Sequence, residues 1–395
     1  MRIPGFRFLL LVAALLLTSG PLSAQERMLG VERARIRAVL DDAYNLAPDV
    51  EDEVAALRRD HPASPVADLI EVGRRYWLQN YAGWDAAATA RYEEFAETAL
   101  DRAKAYRLDH PDDPDAAYAV ALIELTQVMH AVDQRRWWAA FWKSRATLRT
   151  MEELLDAHPD YADAKLPLGM RHCYMANTPG YLKPLVFLMR FKGDMDLGLR
   201  LMGEARDGLY AAADAGYFLA GIRIELFEDR EGAREIFTEL VEAYPGNPLF
   251  VTKLAELERR AGDTAAALVR AQETLARPEL AQFPELMDDS FATALWSAMG
   301  ESEFDLALRI ADRYEAFAEP DPELAGRLPW ITHGRAEALQ GLGRWAEAEA
   351  LWESIPPGDR RLHELVEQRL EAIRAVLAEQ ELAAARLSIG GRRPR

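Results

Sequence analysis

Apolar residues recur at spacings of three and four from about Glu32 to Ala385, and no strand-like alternation persists for a useful length. Glycine and proline interrupt this helical period every 12 to 20 residues, which predicts short helices joined as hairpins rather than long rods. The pattern therefore predicts an all-α protein. Two stretches depart from it: an unbroken apolar run from Phe8 to Leu17, and the segment NTPGYLKPLVFLMRFKGD at 177–194.

The clearest internal repeat runs from Tyr217 to Pro245. Tyr217, Ala220, Gly221 and Ile224 fall on one helix, Ala233, Phe237 and Leu240 on the next, and Pro245 at the exit. This resembles the tetratricopeptide repeat. Gly221 and Ala233 are expected to let the two helices cross closely, with Phe237 filling the space beyond. A step of 34 residues carries Gly221 to Ala255, Ala233 to Ala267 and Phe237 to Ala271, with Gly262-Asp263 at the turn. Stretched copies follow about 40 and 41 residues further on, at Leu295, Phe304, Ala307 and Ala311, then at Ala336, Gly343, Trp345, Ala348 and Trp352. Repeats are thus expected over 214–355, starting near 214, 248, 288 and 329. Residues 356–388 form the capping helix that such arrays require, and 389–395 a disordered tail.

The N-terminal part, 25–176, repeats on a longer period. DHP at 60–62, DHP at 109–111 and AHP at 157–159 recur at spacings of 49 and 48 residues. Proline pushes the residue before it out of helical geometry, so each motif ends a helix. The expected architecture is an all-α solenoid of tetratricopeptide-like hairpins, a right-handed superhelix with irregular longer repeats in its N-terminal half. Residues 177–213 form the junction between the two repeat lengths. There Thr178-Pro179-Gly180 stops a helix, Lys183-Pro184 opens another, and Asp194 is placed to cap a third. The run 185–191 is apolar on nearly every face, which fits a buried splice. The alternative is a foot on a membrane, flanked by Lys183, Arg190 and Lys192.

The segment 158–205 also resembles a group of bacterial tetratricopeptide proteins and, more distantly, the eukaryotic tetratricopeptide repeat protein 39 family. Gly169, Tyr174, Pro179, Lys183, Gly193, Asp194, Gly198, Leu199 and Ala205 carry the resemblance, over roughly 110–250. It implies a scaffold without an enzymatic role.

Charge and composition narrow the partners. Arg2 and Arg7 precede the first apolar run and Leu22-Ser23-Ala24 follows it, the layout of a secretory signal peptide over 1–24, cleaved near Ala24 before Gln25. A soluble, periplasmic protein is expected. Loss of the leader takes the formal charge from −18 to about −20, which disfavours nucleic acid and anionic lipid. The single cysteine, Cys173, excludes an internal disulfide.

Five of the nine tryptophans lie in RRYWLQNYAGW (74–84) and RRWWAAFW (135–142), where Trp138 and Trp142 share a helix face and Trp137 and Phe141 the next. Burial between helix layers is the favoured reading, over an aromatic ligand pocket. Catalytic signatures are missing from the sequence: no phosphate loop, no nucleophile elbow, no Cys-x-x-Cys, and HELVE at 363–367 lacks a second histidine. His130, His172 and His333 are isolated. Neither catalytic residues nor a cofactor or metal are expected. The function that remains is binding of a protein or peptide on the concave face of the first helices. That face is expected to include Phe218, Ile222, Glu225, Thr252, Glu256, Arg259, Trp296, Trp330 and His333. The alternative is an envelope-associated accessory subunit that contacts a membrane or membrane protein through 181–191.

Overall fold

The computed structural model describes residues 27–177, 193–358 and 360–390. The leader, the apolar run 181–191 and residues 391–395 lie outside the described residues. The chain divides into two compact units, Met1–Asn247 and Pro248–Arg395.

The N-terminal unit begins with a two-residue antiparallel pair, β1 (Arg27–Met28) and β2 (Val31–Glu32), too short for alternation to reveal. Ten helices follow among the described residues: α1 (Arg33–Tyr44), α2 (Val50–Asp60), α3 (Val66–Ala82), α4 (Ala86–Asp109), α5 (Pro114–Asp133), α6 (Trp137–Ala157), α7 (Lys165–Ala176), α8 (Met195–Ala205), α9 (Ala212–Phe227) and α10 (Arg230–Ala243). They pack as sequence-adjacent pairs, α1 with α2 through to α9 with α10.

The proline motifs produce one turn used four times. His61, His110, His158 and Tyr244, each followed by proline, have φ/ψ of −130/63, −131/62, −134/77 and −130/65 degrees. Each donates its N–H to the carbonyl four residues back, the last helical bond before the clash with proline ends the helix. Each carbonyl then accepts from the third residue on: Ser64, Asp113, Tyr161 and Asn247, at 3.0, 3.2, 3.0 and 3.0 Å. The long repeats and the 217–245 repeat therefore share the same exit. Aspartates cap the helices that follow other turns, Asp85 on Ala88 N (2.6 Å), Asp194 on Leu197 N (3.0 Å) and Asp229 on Gly232 N (2.9 Å).

The close crossings are not where the repeat pattern put them. A Cβ built at Gly221 meets no atom within 4 Å, so Gly221 does not bring α9 and α10 together; the close approach between them is at Gly216, where a Cβ would lie 3.1 Å from the Leu240 side chain, and Ala220 and Ala233 are fully buried. The tight crossing is α7 on α8. A Cβ at Gly169 would lie 2.8 Å from the Gly198 carbonyl oxygen, and one at Gly198 would lie 2.9 Å from that of Gly169.

The first and last pairs of this unit are tied together. The Tyr44 hydroxyl donates to Asp214 Oδ1 at 2.9 Å, the Gly246 N–H to Asn45 Oδ1 at 2.8 Å, and Asn247 Nδ2 to the Tyr44 carbonyl at 2.9 Å. The Tyr44 and Tyr244 rings stand 5.1 Å apart. Within this unit the array is closed on itself rather than open.

The C-terminal unit contains α11 (Pro248–Ala261), α12 (Thr264–Leu275), α13 (Pro284–Gly300), α14 (Phe304–Ala318), the short α15 (Pro322–Ala325), α16 (Leu328–Gly341), α17 (Trp345–Ser354) and α18 (Arg360–Gly390). Pairs form between α11 and α12, α13 and α14, and α16 and α17, and α18 covers α17. Each hairpin turns through a left-handed residue: Gly262, Ser302 and Gly343, with φ of 91, 59 and 73 degrees. The next N–H reaches back to the fifth carbonyl, Asp263 to Glu258, Glu303 to Ala298 and Arg344 to Leu339, at 2.9 Å each. Ala336, Ala348 and Trp352, predicted as repeat positions, are fully buried, and Leu362, Val366 and Ile373 of α18 complete their cluster. Truncating a side chain such as Trp352 would cost roughly 3–5 kcal/mol. Both units are arrays of tetratricopeptide-like hairpins.

Candidate functional site

The first helices of the C-terminal unit touch in series, α11 with α13 and α13 with α16. Polar side chains link the first two. Thr252 Oγ1 lies 3.1 Å from Ser290 Oγ, and Lys253 Nζ donates to Asp289 Oδ2 at 3.0 Å. Aromatic rings link the next two: His333 of α16 stands 5.3 Å from Trp296 of α13, 5.9 Å from Trp330 and 4.8 Å from Trp352. Burial lowers the proton affinity of His333; Glu337, 3.9 Å away, opposes this, and Arg369 adds to it. The ring is therefore neutral at physiological pH, a packing element among three indoles. Its Nδ1 and the Trp352 indole N–H are both buried without a hydrogen-bond partner.

Further along α11, Glu256 is bound by Arg260 at 2.7 Å and approached by Lys253 at 3.6 Å. Burial works against its charge, but Lys253 and Arg260 outweigh it and hold the carboxyl below the usual range. Among the described residues Arg259 forms no ion pair, although the charge of Glu256 favours its protonated form. Its Nε is buried without a hydrogen bond, and burial, then Arg260, lower its proton affinity.

The nine residues expected on a partner-facing surface thus separate. Ile222, Thr252 and His333 are interior, at 2%, 1% and 6% exposure, and face neighbouring helices because they fall on the buried stripe one position from the exposed one. Phe218 leans on Trp77, with centroids 6.0 Å apart, inside the N-terminal unit. Glu225 is exposed there. Glu256, Arg259, Trp296 and Trp330 are half-buried on the C-terminal unit.

The aromatic clusters also behave differently from one another. In 74–84, Tyr76 is buried and Trp77 and Trp84 are half-buried, packed in the layers as expected. In 135–142 the expectation of burial fails: Trp137, Trp138 and Trp142 are 62%, 76% and 62% exposed. They sit on the first turns of α6, where Ala140 is the residue packed against Val128 and Ala131 of α5 and the three indoles fall off that buried stripe. Arg145 stacks over Trp142 at 5.8 Å. Nothing in the residue types distinguishes this cluster from the buried one.

Cys173 is buried, and burial raises its thiol proton affinity, opposite to what a nucleophile needs. Among the described residues, no cluster of three histidine, cysteine or acidic side chains is arranged to hold a metal, and no helix is long and apolar enough to cross a membrane.

No family model and no curated protein matches the sequence. Among solved structures, the chain is similar to one from the APC/C hetero-tetramer Cut9-Hcn1, with 12% identity, a TM-score of 0.45, and coverage of 82% of this chain and 52% of that one. It is also similar to yeast Tom70, with 14% identity, a TM-score of 0.26, and coverage of 87% and 89%. The chain spans about half the length of the Cut9-Hcn1 chain it matches.

Proposed function

We propose that this protein is an exported, non-catalytic scaffold whose C-terminal unit binds a protein or peptide partner across the first helices α11, α13 and α16. The observation that carries this reading is Arg259, a half-buried guanidinium with an unsatisfied Nε on a helix whose other charged groups are paired. A buried donor without an acceptor is costly, and a carboxylate from a bound segment would relieve it. Trp296 and Trp330, half-exposed on the neighbouring helices, supply the rigid aromatic area that dominates binding surfaces. Arg259→Glu combined with Glu256→Lys should abolish capture of partners that the wild-type protein retains after crosslinking in the intact cell. Undiminished capture would end this reading.

A second reading, contact with a membrane or membrane protein, is favoured by Trp137, Trp138 and Trp142, exposed beside Arg135, Arg136 and Arg145. Indoles and arginines together suit a lipid interface. The segment 181–191, the other candidate for that contact, lies outside the described residues. Liposome flotation of the wild type against Trp138→Ser/Trp142→Ser separates the readings, since only a membrane contact would be lost.

A further inference from the structure

The inner side of the N-terminal unit is hollow. A cavity of about 140 Å³ is walled mainly by α1, α3, α5, α7 and α9, the first helix of every pair in the unit, with Met151 added from α6. Leu122, Leu125, Met129 and Phe218 line it, and each keeps part of its surface uncovered by protein. Gly73 of α3 lines it too, and a Cβ built there meets no atom within 4 Å. Interiors normally leave few holes larger than a water molecule, so a void of this size on an apolar wall is a space for something else.

The wall carries one carboxylate of unusual standing. Asp214 of α9 accepts from the Tyr44 hydroxyl at 2.9 Å and from the Trp77 indole N–H, both neutral donors. No described basic side chain pairs with it. Arg74, also on the wall, is held by Glu71 at 2.8 Å and Glu51 at 3.0 Å. Asp163, the other acid on the wall, is satisfied by the Tyr210 and Ala211 N–H groups at 2.8 Å each. Burial pushes the Asp214 carboxyl up to about 6, so it is still mostly ionised at pH 7. An ionised carboxylate in an apolar hollow with no counter-charge is relieved by a cation. The aromatic faces of Tyr44 and Phe218 on the same wall suit one as well.

We infer that the cavity binds a compact apolar amine, its ammonium on Asp214 and its hydrocarbon body against Leu122, Leu125, Met129 and Phe218. The volume suits a single ring with a short arm, on the order of ten non-hydrogen atoms. This site is separate from the partner face proposed for the C-terminal unit and does not depend on it.

Calorimetric titration of the full chain at pH 7.5 with 2-phenylethylamine and with the near-isosteric 2-phenylethanol tests the inference. The wild type should take the amine at least about tenfold more tightly than the alcohol. Asp214→Asn, which keeps an acceptor for Tyr44, should remove that preference by weakening the amine alone. Gly73→Leu fills the cavity and should weaken both ligands by about tenfold or more. Leu125→Phe, a second filling change on another helix, serves if Gly73→Leu loses its helical circular dichroism. No heat from either ligand at millimolar concentration, or an amine preference that survives in Asp214→Asn, would overturn the inference.

Discussion

Replacing Asp214 by asparagine should stabilise the N-terminal unit at neutral pH and leave it nearly unchanged in acid. The folded carboxyl titrates at about 6 against an ordinary value of 3.8, chiefly because burial disfavours its charge. A gap of roughly two units, at about 1.4 kcal/mol per unit, makes the ionised form some 3 kcal/mol costlier in the folded than in the unfolded chain. Because the folded carboxyl holds its proton more tightly, the associated stability is complete below about pH 3.8 and is lost as the pH rises through about 6. Asparagine has nearly the same shape and carries no charge at any pH, and its one carbonyl oxygen can still accept from Tyr44, as the protonated acid's does, while any bond that Trp77 makes to the other oxygen is lost. The other aspartates with raised values, such as Asp115, Asp133 and Asp163, are common to both proteins, so the difference between them isolates position 214. Guanidinium unfolding followed by tryptophan fluorescence at pH 4 to 8 measures it. The stability gap in favour of the asparagine variant should widen by about 2–3 kcal/mol across that range, half of it gained by about pH 5, between the unfolded and folded values, and should level off above about pH 6. A gap that does not change with pH, or a variant weaker than wild type at pH 8, would refute the argument that the carboxylate lacks a counter-charge.

Three further changes test the packing. Ser302→Gly relieves a left-handed residue with φ of 59 degrees and should raise the stability of the C-terminal unit by about 0.5–1 kcal/mol in thermal melting. Gly198→Ala would place a methyl 2.5 Å from Cys173 Sγ and 2.9 Å from the Gly169 carbonyl oxygen. The backbone oxygen cannot swing away, so the same melting assay should show a loss of about 1–3 kcal/mol. Trp138→Ser, at a side chain 76% exposed, should leave stability within about 0.5 kcal/mol of wild type, and a larger loss would show that the indole is packed.

What could be read from the chain was what local sterics decide. His61, His110 and His158 end their helices because proline follows, and that needs no knowledge of neighbours. The left-handed turn residues were visible at Gly262 and Gly343, and invisible at Ser302, which has the same geometry without glycine's signature. Facing was read less well. The repeat pattern points to a close crossing at Gly221, whereas the crossing belongs to Gly169 and Gly198, since a small residue near the right phase can point to open space. Ile222, Thr252 and His333 turned inward for the same reason: one residue is about 100 degrees of helix, enough to exchange partner face for core. The bond from Tyr44 to Asp214 joins residues 170 apart with no local mark on either, and the cavity walls come from six helices spread over the unit.

That closure also bears on how the chain is made. Tyr44 and Asn45 emerge early in synthesis, yet their partners at Asp214, Gly246 and Asn247 follow only after some 200 more residues. An open solenoid can settle pair by pair behind the ribosome or the translocation pore, whereas this unit must hold its earliest helix unfinished until its last pair arrives. During that interval the inner apolar wall is bare to other chains. The nascent unit should therefore engage holding chaperones until the residues near 247 emerge, a dependence that the C-terminal unit, built from short-range pairs, would not share.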